Sequence, residues 1–117
     1  MRQIKFRGYS EKYKSWHYGC LDFTADGKCF IKSINENGTA SRTRVDEDSV
    51  GQYIDQEDAF GIEIYEGDFL QDDEGNVYEV VWSDSRSMFE VESDGGTSDF
   101  DHCCGQDFEI IGNRYEE

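Results

Sequence analysis

The chain contains no proline. Its turns must be made by glycine, asparagine and aspartate, which tolerate the left-handed backbone that tight turns need. Long apolar runs are lacking too, and nothing approaches the ~20 residues a membrane-crossing helix requires. The opening "MRQIKFRGY" has no apolar signal core. A cytoplasmic location with no membrane association is therefore expected. No P-loop, G-x-S-x-G or G-x-G-x-x-G is present, which removes the usual signatures of nucleotide binding and serine hydrolysis.

Cations nearly vanish after position 44. Residues 45–117 hold two Lys/Arg against 23 Asp/Glu, a balance of -21, whereas residues 1–44 hold nine against four, a balance of +5. Together they make the net charge of -16. Phosphate would be repelled by the second part, so nucleic acid is not the expected partner of the whole chain. The split permits contact between the two parts, head-to-tail association with another copy, or an acidic face for a basic partner.

What is present suffices for a core. A chain of 117 residues can bury roughly 65% of its unfolded surface without metals or disulfides. Aromatics make up 15% and the glycines number 12, which argues against disorder despite the charge. The four cysteines are Cys20, Cys29, Cys103 and Cys104. Without an export signal, reduced thiols are the better reading.

Apolar and polar residues alternate in short runs. "RQIKFRGY", "KSWHYGCLDF" and "CFIKSI" read as three strands. Between them lie the polar turn "SEKYK" and the hairpin signal Asp26-Gly27. A loop around Asn37-Gly38 leads to short strands in "TRV" and "VGQYI", and "DQEDAFG" is a polar excursion. The block "GIEIYEGDFLQDDEGNVYEVVW" reads as a meander. Ile64, Phe69, Val80 and Trp82 are its expected core residues. Gly67 is placed at a bend where a side chain would clash, and Asp68 would hydrogen-bond nearby backbone to fix that bend. "MFEVES" returns as a strand, "DGGTSD" is a loop, and "SDFDHCC" forms one helical turn with Ser98 as N-cap. "FEIIGNRYEE" closes as a strand. The expected fold is mainly β: a small, strongly bent antiparallel sheet or barrel with SH3-like elements and one short helical turn. It occupies residues 1–117 as a single domain, with basic strands in 1–44 and an acidic meander and closing strand in 45–117.

Three segments together resemble the YopX family of phage and prophage proteins. Arg2, Ile4, Lys5, Phe6 and Arg7 match its opening strand. Gln52, Tyr53, Asp55, Gly61, Glu63, Ile64, Tyr65, Glu66, Gly67 and Asp68 match its central signature. Glu109, Ile111, Gly112, Asn113, Tyr115 and Glu116 match its close. The excursion "IDQEDAFG" departs from that pattern by being unusually acidic, and the cysteines and histidines are not part of it. The resemblance implies a small, mainly β protein of phage origin acting in a bacterial host cell. It implies no activity, since the family is functionally uncharacterised. Self-association is expected.

Several chemistries compete with ordinary structural roles. His17, Cys20, His102 and Cys103 include zinc-ligand types. H-x-x-C at 17–20 is only half a knuckle, and H-C-C at 102–104 puts neighbours on opposite sides of an extended chain. Small core cysteines are the simpler reading, and no metal or cofactor is expected. Asp22, Thr24, Asp26 and Gly27 start like a calcium loop, but Ser33 stands where a bidentate Glu is required. His102 beside Cys103 does not make a nucleophile and base. Arg2, Lys5, Arg7, Lys12 and Lys14 lie among Tyr9, Tyr13, Trp16 and Tyr18, the ingredients of a single-strand platform. Core aromatics with solvated cations are the ordinary alternative.

The reading is a non-enzymatic accessory protein that acts through protein contacts and self-associates into a homo-oligomer. Gln52, Tyr53, Gly61, Ile64, Tyr65, Glu66, Gly67, Asp68, Gly112 and Asn113 form its structural signature. Asp55, Glu57, Asp58, Asp72, Asp73 and Glu74 are candidates for an acidic face that would meet a basic host or phage protein. Two alternatives stand: an acidic nucleic-acid mimic inhibiting a host DNA-binding protein, and nucleic-acid association through the basic N-terminal strands.

Overall fold

Alternation of side chains sets the architecture, and the protein is mainly β. The structure is a computed structural model that describes residues 4–34, 36–93, 96–99 and 105–115, with the backbone alone at 97–99 and 105. Its strands are β1 (Phe6–Ser10), β2 (Ser15–Phe23), β3 (Cys29–Ile34), β4 (Ala40–Arg44), β5 (Gly51–Glu57), β6 (Glu63–Tyr65), β7 (Asp68–Gln71), β8 (Val77–Ser83), β9 (Met88–Ser93), β10 (Gly96–Asp99) and β11 (Glu109–Asn113). Short 3-10 turns occupy Glu47–Ser49 and Gly105–Asp107. The chain divides into two compact units, 1–53 and 54–117, with the boundary inside β5.

In the first unit β1 to β4 are successive antiparallel hairpins, and the start of β5 returns beside β1. The strand order is β4-β3-β2-β1-β5. Cys29, Ile31 and Val45 form its small core, with Phe6, Leu21 and Val50 packed against them. The Glu47–Ser49 turn is tied to β1: Tyr9 N–H donates to Ser49 Oγ at 2.7 Å, and Asp46 N–H donates to the Tyr9 carbonyl at 2.8 Å.

The second unit holds the end of β5, β6, and a sheet ordered β10-β9-β8-β7-β11. Its core is Ile54, Ile64, Leu70, Val80, Val91 and Phe108, with Tyr78, Phe89 and Ile110 against it. β11 carries a bulge: Ile110 opposes Leu70 and Gly112 opposes Phe69, which leaves Ile111 unpaired and 49% exposed.

Three expectations about the central block need correction. It is not one continuous meander: β6 follows β5 in one sheet's order, whereas β7 enters the other sheet between β8 and β11. Trp82 is not core; it is 42% exposed and meets Phe89 edge-on at 4.9 Å. It lies one residue from the end of β8 at the rim, where it covers its cross-strand partner Phe89, and Phe89 takes the place against the core. Phe69 is only partly buried, and Leu70, one position on, takes the core place. Part of "DGGTSD" is β10, and Ser98 lies within that strand rather than capping a helical turn. Residues 100–104 of the expected turn lie outside the described residues. Among the described residues the strands form two antiparallel sheets and close no barrel.

Candidate functional site

The signature residues build one corner of the second unit. Ile64 and Tyr65 end β6 fully buried, and Asp68, also buried, begins β7. Asp68 Oδ2 accepts the Tyr65 N–H at 2.8 Å, so one carboxylate pins the four-residue turn between the sheets. Gly67 sits third in that turn with φ +94°, the position that needs left-handed backbone in a type II turn. A Cβ there would come no nearer than 3.4 Å to Arg114 Nε. The glycine is required by conformation, and the expected steric clash is not the reason. The Gly67 N–H donates to the Val80 carbonyl at 2.8 Å and its own carbonyl accepts Arg114 N–H at 3.0 Å. The turn is thereby tied to β8 and to the chain after β11. Asn113, paired with Asp68 in register, is buried and caps the close by accepting Tyr115 N–H at 3.0 Å.

A second anchor was legible only as an acid in a polar excursion. Asp58 is 2% exposed. Its Oδ1 accepts the N–H groups of Phe60 and Ile62, both at 2.9 Å, and its Oδ2 accepts Ile110 N–H at 3.2 Å. Gly61 turns the same loop, its N–H donating to the Asp58 carbonyl at 3.0 Å. Asp58 therefore leaves the candidate acidic face, because both of its oxygens are turned inward onto backbone donors. The spacing Asp58-x-Phe60-x-Ile62 before a strand was the available signal, since aspartate commonly accepts backbone N–H groups just ahead of it.

The other candidate acids remain at the surface in differing roles. Asp55 and Glu57 are exposed on β5, and Asp55 has φ +65°. Asp73 and Glu74 are exposed at the β7–β8 turn. Asp72 organises that turn, accepting N–H groups of Glu74 and Asn76, the Asn76 amide and the Tyr78 hydroxyl. Partial burial pushes its carboxyl up, but those donors outweigh it and hold the group below the usual carboxylate range.

Charge follows the unit boundary. Residues 54–117 hold two Lys/Arg against 20 Asp/Glu, a balance of -18, and residues 1–53 hold nine against seven, a balance of +2. Both cations of the acidic unit pair within it: Arg86 Nη1 with Glu90 at 2.9 Å, and Arg114 Nη1 with Glu79 at 3.3 Å.

In the first unit, cations lie on aromatic rings. The Arg7 guanidinium is 4.8 Å from the Trp16 ring centre, Lys5 Nζ 5.0 Å from that of Tyr53, and Arg42 3.9 Å from that of Phe30. Arg7 and Tyr53 are buried, so this part of the basic-aromatic set serves packing. His17 and Cys20 both lie on β2, an odd number of residues apart, which places them on opposite faces. His17 Nε2 lies 3.1 Å from Ser15 Oγ. His102, Cys103 and Cys104 lie outside the described residues. Among the described residues no three His, Cys, Asp or Glu side chains converge on a metal position. Cys29 is buried, and burial together with nearby Glu47 pushes its thiol up, away from a reactive thiolate. Asp26 and Gly27 turn the β2–β3 hairpin, with Gly27 N–H bonded to the Thr24 carbonyl at 3.0 Å. Among the described residues no helix is long and apolar enough to cross a membrane.

Comparison with known proteins agrees with the three sequence motifs. No curated protein matches the chain. The crystal structure of protein EF1440 from Enterococcus faecalis is similar, with a TM-score of 0.58 at 21% identity, covering 99% of this chain and 96% of that one. At that identity the likeness concerns the fold. The family model described as YopX protein matches residues 5–117. With that match over nearly its whole length, the chain belongs to the YopX family.

Proposed function

We propose that this is a non-enzymatic accessory protein of phage or prophage origin, working in the bacterial cytoplasm and acting through protein contacts, first of all with copies of itself. The observation that carries the reading is the coincidence of charge with compact unit: +2 in one and -18 in the other. An acidic unit whose two cations are already paired keeps an uncompensated surplus of carboxylates. Basic strands of a second copy are the nearest complement, and a head-to-tail contact of this kind gives a ring where its rotation closes and a filament where it does not. Among the described residues the shifted groups Asp26, Cys29 and Asp72 each have a turn or core role, which supports the non-catalytic reading. Light scattering at low ionic strength should give a mass above the 13.5 kDa monomer, falling as salt is raised. A monomer at every salt concentration rejects self-association.

A second reading rests on the same surplus. Exposed Asp55, Glu57, Asp73 and Glu74 would occupy the basic groove of a host DNA-binding protein. Pull-down from host lysate should then recover a basic protein that elutes with salt and is lost with Asp73→Lys/Glu74→Lys. Undiminished recovery by that double variant argues against an acidic contact.

A further inference from the structure

We infer that the open edge of β4 is the strand-addition site through which one copy takes an acidic segment of the next. This rests on the self-association reading and specifies where it occurs. β4 is the last strand in its sheet's order, and four of its five residues are exposed. Its register with β3 is unbroken from Phe30–Arg44 to Ile34–Ala40, with no bulge to twist the edge away. The Val45 N–H points at the Cys29 carbonyl at 3.1 Å. In the alternating antiparallel pattern, Thr43 and Ser41 therefore also face β3. The backbone N–H and C=O groups of Ala40, Arg42 and Arg44 face the other way, along the open edge.

Natural edge strands are commonly guarded by a projecting charge. At mid-strand that guard is folded back, and Arg44 alone stays exposed as a charge at the end of the edge. Arg42 reaches across β3, stacks 3.9 Å from the Phe30 ring centre and pairs with Asp22 of β2 at 2.9 Å. The contrasting edge is β11, where Ile110 N–H is taken by Asp58 and the Phe108 carbonyl by Ala59 N–H. Of the four terminal strands, β11 is covered by a loop of its own unit, whereas β4 is left accessible among the described residues.

The chemistry of the face selects the occupant. Lys32, Arg42 and Arg44 share one face of β3 and β4 with a single acid of β2, Asp22. Pairing of β4 with a second β4 would set arginines against one another, which is unfavourable. An acidic strand or loop answers both the backbone edge and the cations, and the second unit of another copy supplies it at -18.

Two variants separate backbone from charge. Ala40→Pro removes an outward N–H without touching the β3 ladder, and Arg44→Glu reverses charge at the same edge. Mass is measured by light scattering at low salt, with circular dichroism to check the fold. The expected result is an oligomer for the unmodified protein and loss of it, back to 13.5 kDa, in each variant that folds. Should Ala40→Pro fail to fold, Arg44→Glu carries the test. Oligomers undiminished in the folded variants overturn the β4 assignment and leave self-association standing. A monomeric unmodified protein overturns both.

Discussion

Glycine at position 19 and glycine at position 67 illustrate two different demands of the same backbone. Gly67 is conformational, with space around it. Gly19, at φ +156°, is steric: a Cβ there would overlap the Lys32 carbonyl oxygen of the neighbouring strand. Backbone cannot yield as a flexible side chain does. Gly19→Ala should cost about 3 kcal/mol through overpacking and strain. Urea unfolding of the variant checks this, and a midpoint equal to that of the parent would show that β2 and β3 have room to part. Asp68 belongs to the same scale. Its role in pinning the bend was readable from the sequence, because a carboxylate next to a turn glycine has few other places to bond. The role of Asp58 was not, since its third donor, Ile110, lies 52 positions away.

Strands and hairpins were the most legible elements. "CFIKSI" is β3 to the residue, the turns at 26–27, 72–76 and 84–87 fall where glycine, asparagine, aspartate and serine gather, and the turn at 11–14 is the charged run "EKYK". Alternation fixes such elements locally. Sheet membership is non-local, and for that reason β6 and β7 read as successive strands of one meander. Trp82 departs from expectation for a related reason: alternation puts it on the face of Val80, but its cross-strand partner Phe89 packs against the core and leaves Trp82 at the rim. The β7–β8 turn gives a pH-dependent prediction. Asp72 in the folded protein lies below its ordinary value near 3.8. The stability it contributes is therefore present above that value and lost as pH falls through the lower folded one. Asp72→Asn should flatten the acid limb of unfolding below pH 3.8 while changing little of its pH dependence near neutrality. An acid limb identical to the parent's would assign that turn no part in acid unfolding.

For the whole molecule the dominant quantity is net charge. At -16, self-repulsion opposes the compact state, most of all in residues 54–117. Salt should therefore raise the melting temperature of dilute protein up to a few tenths molar, by screening over about 10 Å at 0.1 M. Calorimetry showing a fall over that range would mean that attractive pairs outweigh repulsion. The asymmetry of charge was plain from the sequence. Its alignment with compact units was displaced: composition breaks at 44, whereas the units meet at 53, because the acids Asp46, Glu47 and Asp48 belong to the turn that ties into β1.

β5 has its own consequence for how such a chain can diverge. Tyr53 and Ile54 are consecutive yet both buried, and Asp55 takes a left-handed φ immediately after. Tyr53 lies under Lys5 in the first unit, while Ile54 joins the core of the second. Adding or removing one residue here would swap inward and outward positions on one side of the boundary only. Length changes among relatives should therefore collect in the loops at 36–39 and 73–75 and be excluded from 51–57. On that expectation the strand is a fixed ruler set between loops that can change length.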